Sequence, residues 1–327
     1  MATLSILDLS PISEGSNVQQ ALRDSIELAQ HAEKLDFHRF WLAEHHNIPT
    51  IASTANTIII GQILAATKKM IVGAGGVMLP NHRPLIVAEQ FATLANFYPA
   101  RVDLGLGRAA GGDMATLRAL GRNDLTNNDF PQQVKEVLHY LSGEQNDGVS
   151  AIPAGEVKVP VGILGTSLYG AKLAAKLGLP YTFAAHFAPA MLEQALDTYR
   201  SSFKPSSHLA EPYFMMSIGF YGADTDKQAL ALSSSIKLHF AELRSGNIGK
   251  LARPVNNIQS LLPVPLLQAV EQHMTCSAIG NQATVNRQVK EIVGRYQPDE
   301  IMISAMIHDP VARHQSLKMA AEAFAAL

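Results

Sequence analysis

The sequence predicts an α/β protein folded as a (β/α)8 TIM barrel, and three observations carry that reading. Short β-branched or apolar runs alternate with longer segments of helical period, the alternation yields eight strand candidates, and 327 residues at 47% hydrophobic composition suit one barrel with a large core. An open doubly wound sheet fits so regular an alternation less well.

The first strand is expected at residues 4–7. A helix follows, capped by Ser16 or Asn17, with Val18, Ala21, Leu22, Leu28, Ala29, Ala32 and Leu35 on one apolar face. RFWL (39–42) is the second strand, and a helix spans 55–66. MIVGAGGVML (70–79) is the third strand; Pro84, whose fixed φ suits a first helical position, opens the next helix, with Val87, Phe91, Leu94 and Ala95 facing inward. RVDLGL (101–106), VPVGIL (159–164), YTFAA (181–185), YFMMSIGFY (213–221) and EIMISA (300–305) complete the strands. Helices are expected at 131–141, 168–177, 190–201, 226–243 and 284–296, with one more closing the chain. The stretch from about Arg244 to Ser277, holding PVPLL, breaks the rhythm between the seventh and eighth strands and reads as an inserted excursion or lid within a single domain covering 1–327.

A formal charge of −2 with both signs interspersed offers no basic stripe for nucleic acid and no polybasic segment for lipid. The single cysteine, Cys276, excludes an intrachain disulfide framework and any thiolate cluster, and fits a reducing compartment. The N-terminus lacks the charged flank and apolar stretch of a signal peptide, and no apolar run reaches membrane-spanning length, so the cytoplasm is the expected location.

Barrel sites form where strands end and βα loops begin, so position along each strand filters the candidates. WLAEHHN places Glu44, His45 and His46 directly after strand two. That triplet reads either as a polar loop or as an acid/base group in which a carboxylate sets an imidazole tautomer. A metal site is disfavoured because adjacent imidazoles diverge and strand one ends without His-x-His; His186 and Asp309, after strands six and eight, are the remaining ligand types. Gly73, Gly75 and Gly76 in strand three remove side chains where a barrel wants bulk, through either a packing bulge or the close approach of another molecule. Strand four ends LGLGRAAGGD, whose glycine spacing is wrong for a Rossmann fingerprint but leaves Arg108 room to reach an anion. Strand five ends in Gly165, Thr166 and Ser167 at a helix start, where free N–H groups form a phosphate cradle or Ser167 serves as an N-cap. Met215, Met216 and Phe220 read as barrel core, Trp41 as helix–strand packing, Asp8 as a turn cap, and His186 as a ligand contact or an ordinary loop histidine.

Four blocks, WLAEHHN, GGVMLPNHRPLIVAEQFATL, RVDLGLGRA and GTSLYGAKLAAKLGLP, lie in an order and spacing that resemble the bacterial-luciferase-like flavin-dependent monooxygenases. The resemblance implies a TIM barrel holding reduced FMN, or in some relatives F420, at the C-terminal face. It matches Gly75-Gly76 to a non-proline cis peptide, Arg108 to the arginine on the flavin phosphate, and Thr166, Ser167, Leu168 and Tyr169 to the phosphate-holding turn. It matches Glu44 and His45 to the acidic residue and histidine base near the flavin. The implied chemistry is reaction of reduced FMN, delivered by a separate flavin reductase, with O2 to a C4a-hydroperoxide that oxygenates an aldehyde or another small organic substrate. A homodimer is implied as well. F420-dependent hydride transfer and a non-catalytic flavin-binding protein are the alternatives. Gly107 stands where luciferases carry a reactive cysteine, and light emission is not expected.

Overall fold

The computed structural model describes residues 2–108, 113–122 and 129–327. Eight parallel strands close on themselves: β1 (Thr3–Asp8), β2 (Arg39–Leu42), β3 (Ile71–Met78), β4 (Val102–Gly107), β5 (Val161–Gly165), β6 (Tyr181–Phe183), β7 (Phe214–Gly222) and β9 (Glu300–Ser304), with β9 returning to β1. The expected barrel is therefore present, its strands within a residue or two of the sequence reading.

Helices α1 (Val18–Lys34), α2 (Asn56–Ala66), α3 (Pro84–Phe97), α5 (Phe130–Leu141), α6 (Leu168–Leu177), α7 (Leu192–Ser202), α8 (Asp226–Ser245), α10 (Gln282–Tyr296) and α11 (Pro310–Ala325) pack around the barrel, and a short α4 (Met114–Ala119) follows β4. Asn17, not Ser16, caps α1, its side-chain oxygen accepting from the Gln20 N–H. Asp309 caps α11 by accepting from the Ala312 N–H, a helix-starting role in place of a metal ligand's.

The excursion contains a helix, α9 (Val264–His273), and ends in a ninth strand that the sequence reading lacks, β8 (Ser277–Gly280). β7 is nine residues long and outruns its barrel neighbours. Phe214–Met216 pair with β6, while Gly219–Gly222 pair with β8, which thereby tops the barrel wall without entering it.

Both faces of the strands are buried, so alternate residues divide between the shell under the helices and the barrel interior. Phe40, Leu42, Val72, Ala74, Leu104, Met216 and Phe220 join the outer core. Leu7, Trp41, Ala43, Met215 and Met302 form the inner cluster. Trp41 thus fills the barrel and does not pack against a helix. Its bulk explains much of the glycine run: a Cβ on Gly75 would come within 2.7 Å of Trp41, and one on Gly105 within 3.0 Å. A Cβ on Gly73 would meet Asp103, and one on Gly76 the Gly105 carbonyl oxygen at 2.6 Å. Packing inside the barrel, more than the approach of a foreign ring, requires these small residues.

Beneath Trp41 lies a buried polar layer. Arg39 forms ion pairs with Asp103 and, through Nε at 2.8 Å, with Glu300; Trp41 Nε1 donates to Asp103 at 2.7 Å and the Tyr213 hydroxyl to Glu300 at 2.9 Å. Asp8 caps no turn. It ends β1 buried, accepting from Ser25 at 2.6 Å and from Arg313 at 2.5 Å, which ties the first strand to the last helix.

Candidate active site

A cavity of about 330 Å³ opens at the C-terminal ends of the strands, the end where barrel enzymes work. Its lining brings together Glu44, His45, Gly75, Gly76, Arg108, Thr166, Ser167, Tyr169 and His186, contributed by five different strand ends. Of the residues that the resemblance assigns to catalysis and cofactor binding, only Leu168 is missing from the wall; it is the first residue of α6 and leans on the hydrophobic shell. The stretch 109–112 of the RAAGGD segment lies outside the described residues.

Gly75-Gly76 is a cis peptide bond, and the pairing of β3 with β4 shifts register between Gly75 and Val77. In the loop after β2 the carboxylate–imidazole pairing falls on His46 and not on His45. Glu44 Oε1 accepts from the Nε2–H groups of His46 and His82, each at 2.8 Å, and Oε2 accepts from the Met78 N–H at 3.2 Å. Burial alone would raise the Glu44 pKa, but the His82 hydrogen bond and charge, joined by those of His46 and the Met78 N–H, hold it below the usual carboxylate range. The carboxylate therefore clamps the β2 and β3 loops together and does not orient His45.

His45 stands apart from that clamp. Its Nδ1 is shielded from solvent and has no hydrogen-bond partner among the described residues. Burial lowers its pKa to about 4, against the opposing pull of Glu44, so the ring is neutral at pH 7. His186 lies on the same wall, its Nδ1 2.6 Å from the Ser217 hydroxyl, and burial lowers its pKa to about 4 as well. Of its two sequence readings, ligand contact and hydrogen-bonded loop residue, the geometry accommodates both.

At the opposite side of the cavity, Arg108 lays its guanidinium over the Tyr169 ring, 4.2 Å from the centroid. Among the described residues it has no carboxylate partner. Ser167 occupies the N-cap position of α6 with extended backbone, yet its side chain makes no capping bond. The first N–H groups of the helix are thus left to another acceptor, beside a guanidinium, which is what a phosphate monoester requires. A largely apolar cavity with a cationic pole, walled by glycine backbone, suits a phosphate-bearing flavin or deazaflavin.

A second cavity, about 460 Å³, shares Leu9, His45, Met78, His186 and Phe187 with the first. His239 on α8 lines it, a residue the sequence reading passed over. The available signal was a histidine on a helix stripe otherwise apolar, with Ile236, Phe240 and Leu243 at neighbouring helical positions. His82 carried no such signal, since only the fold brings it to Glu44. A larger open groove of about 620 Å³, near Asp224 and Lys227, gathers none of these residues.

The comparisons with known proteins agree with this geometry. The luciferase-like monooxygenase family matches residues 3–296. The chain belongs to that family. It is 45% identical to a luciferase-like monooxygenase of Escherichia coli (strain K12), over 97% of this chain and 95% of that protein. Among solved structures, apo-MsnO8 superimposes with a TM-score of 0.93 at 31% identity, covering 100% of this chain and 99% of the other. Two more distant structures share the fold. The oxygenating constituent of 3,6-diketocamphane monooxygenase from Pseudomonas putida, in complex with FMN, matches with TM-score 0.72 at 16% identity, over 98% of both chains. An F420-dependent secondary alcohol dehydrogenase with an F420-acetone adduct matches with TM-score 0.72 at 17% identity, again over 98% of each. No helix among the described residues is long and apolar enough to cross a membrane, and no group of three or more His, Cys, Asp or Glu side chains there could hold a metal ion.

Proposed function

We propose that this protein is an FMN-dependent monooxygenase that uses reduced FMN and O2 to oxygenate a small organic molecule. The observation that carries the reading is the single cavity joining a bare guanidinium and an uncapped helix N-terminus at one side to a neutral, unpartnered imidazole at the other. Membership of a monooxygenase family supports oxidoreductase chemistry, and the cavity supports a flavin or a deazaflavin.

Arg108 and the N–H groups of Thr166, Ser167, Leu168 and Tyr169 would bind the phosphate, and Gly75-Gly76 would lie along the ring system. When bound in its reduced form, FMN supplies the two electrons that activate O2. The apolar wall excludes water from that chemistry. His45 holds an unprotonated ring nitrogen at pH 7. A conjugate acid with a pKa near 4 surrenders its proton readily, so His45 carries a proton between groups without retaining it. Glu44 is a positioning residue that fixes the loop bearing His45. The reading includes a separate flavin reductase and a homodimer, both carried by family resemblance.

The test is binding. Arg108→Ala should weaken FMN by about 10- to 100-fold, the range of a lost charge-assisted contact, and leave riboflavin unchanged, because only FMN bears the phosphate. Fluorescence titration of both flavins reads the difference, and equal weakening would sink the assignment. F420 bound in preference to FMN would move the reaction to hydride transfer, and flavin binding without oxygen-dependent substrate loss would leave a non-catalytic flavin carrier.

A further inference from the structure

We propose that the second cavity selects an uncharged, largely apolar substrate and rejects carboxylate, sulfonate and phosphate compounds. The inference deepens the proposed function and rests on it in taking the space next to His45 as the substrate's place. At about 460 Å³ the cavity lies within the roughly 300–1,000 Å³ that encloses small organic ligands.

Its walls are apolar: Ile48 and Ile51 from the loop after β2, Ile236, Phe240 and Leu243 from α8, and Met306 after β9. No Lys or Arg lines it among the described residues. The undescribed stretches, AAGG at 109–112 and NDLTNN at 123–128, contain none either. The nearby guanidinium, Arg108, belongs to the first cavity.

Of the polar groups in the wall, His239 and Asp113 offer an anion no donor, and His46 already gives its Nε2–H to Glu44 at 2.8 Å. The Thr50 hydroxyl donates to the Gly249 carbonyl at 2.6 Å, so it can only accept from His239 Nδ1, 3.2 Å away. The neutral ring therefore carries its proton on Nδ1 and presents Nε2 as a bare acceptor. Burial lowers the pKa of His239 to about 4, as it does for His45 and His186, which leaves three imidazoles uncharged at pH 7. Asp113 stands in the same lining with its carboxylate held ionised by the Thr116 N–H and hydroxyl. That carboxylate is exposed and accepts from Thr116 at 2.8 Å and from Asn47 at 3.0 Å, so water screens its pull on a cation in the cavity. An anionic substrate would lose its water and gain no counter-charge, whereas a hydroxyl or N–H group could donate to His239 Nε2.

Isothermal titration calorimetry with 2-octanone, octanoate and octylamine tests this on the apoprotein and on the protein loaded with oxidised FMN. The expected result is 2-octanone binding at least about tenfold more tightly than either ion at pH 7.5. Leu243→Arg, a partly buried position on the wall, should bring octanoate level with or below 2-octanone in Kd, and Ile48→Arg on the loop should do the same if the helix variant does not fold. Octanoate or octylamine binding as tightly as 2-octanone to the wild type would overturn the inference, as would no 2-octanone binding to protein that still takes up FMN. A parallel FMN titration separates the two readings. Selectivity without FMN binding removes the flavin assignment alone, and FMN binding without selectivity removes this inference alone.

Discussion

The two ends of the barrel handle their polar groups in opposite ways. At the N-terminal end, Arg39, Asp103, Glu300, Tyr213 and Trp41 form a closed set in which every charge meets its opposite and the indole N–H has an acceptor. At the C-terminal end, among the described residues, His45 Nδ1 has no partner, the α6 N-terminus has no side-chain cap, and Arg108 rests on an aromatic face with no carboxylate. Unmet hydrogen-bonding capacity in a buried place costs stability, and an unpaired imidazole, an uncapped helix start and a guanidinium with no carboxylate among the described residues, gathered on one cavity wall, point to a ligand. Pairing is thus a better guide to function here than polarity, since both ends carry charged side chains.

The sharpest way to break this contrast is to unpair the structural end. Asp103→Ala strips Arg39 of one partner and leaves the Trp41 N–H buried without an acceptor. A loss of about 3 kcal/mol in urea unfolding is expected, the usual result of removing one member of a buried ion pair, with FMN affinity within about threefold of wild type in protein that remains folded. A large affinity loss at preserved stability would mean that the two ends are not independent.

The functional end should instead declare itself through pH. The folded-state pKa of His45 is lowered from 6.5 to about 4, so between those values the unfolded chain binds a proton that the folded chain refuses. Stability is therefore full above about pH 6.5, falls as pH drops toward 4, and levels off below it. At about 1.4 kcal/mol per pH unit, trimmed by partial exposure, His45 accounts for about 1–3 kcal/mol of that fall. His45→Gln should flatten the slope between pH 6.5 and 4 without abolishing it, because His186 and His239 are lowered in the same direction. An unchanged slope would show that the ring is not held neutral by the fold.

How much of this was legible in the sequence differs between backbone and side chains. The barrel was legible because each strand is a short apolar run between helical periods, and the site's strand ends because glycines and small hydroxyls interrupt those runs. β8 was not, since four residues, SAIG, paired only with the tip of β7, carry no periodic signal. The inward turn of Trp41 was hidden for a related reason: with both faces of β2 buried, alternation cannot tell interior from shell. Which imidazole Glu44 meets was left open by the triplet alone, and the answer follows from successive side chains leaving a strand pointing apart. Glu44 consequently meets His46, two residues on, and His82 from the next loop, while His45 faces the cavities.

The smallest effect is the most discriminating, because it closes one of the open groups without altering the fold. Ser167 already holds the N-cap position of α6 with extended backbone, φ −141° and ψ 161°, but makes no capping bond. Ser167→Asp places a carboxylate where it can accept from the free N–H groups and sit at the positive end of the helix. If α6 is merely a helix with a missing cap, the substitution should raise stability by about 0.5–1 kcal/mol and change nothing else. If its N–H groups are reserved for a phosphate, the same gain in stability should come with an FMN affinity at least about tenfold lower, since the new carboxylate occupies the donors and repels the phosphate, while riboflavin binds as before. Urea unfolding and flavin titration on one preparation read both quantities. A stabilised protein that binds FMN normally would assign the uncapped terminus to the structural side of the comparison and leave Arg108 to hold the phosphate alone.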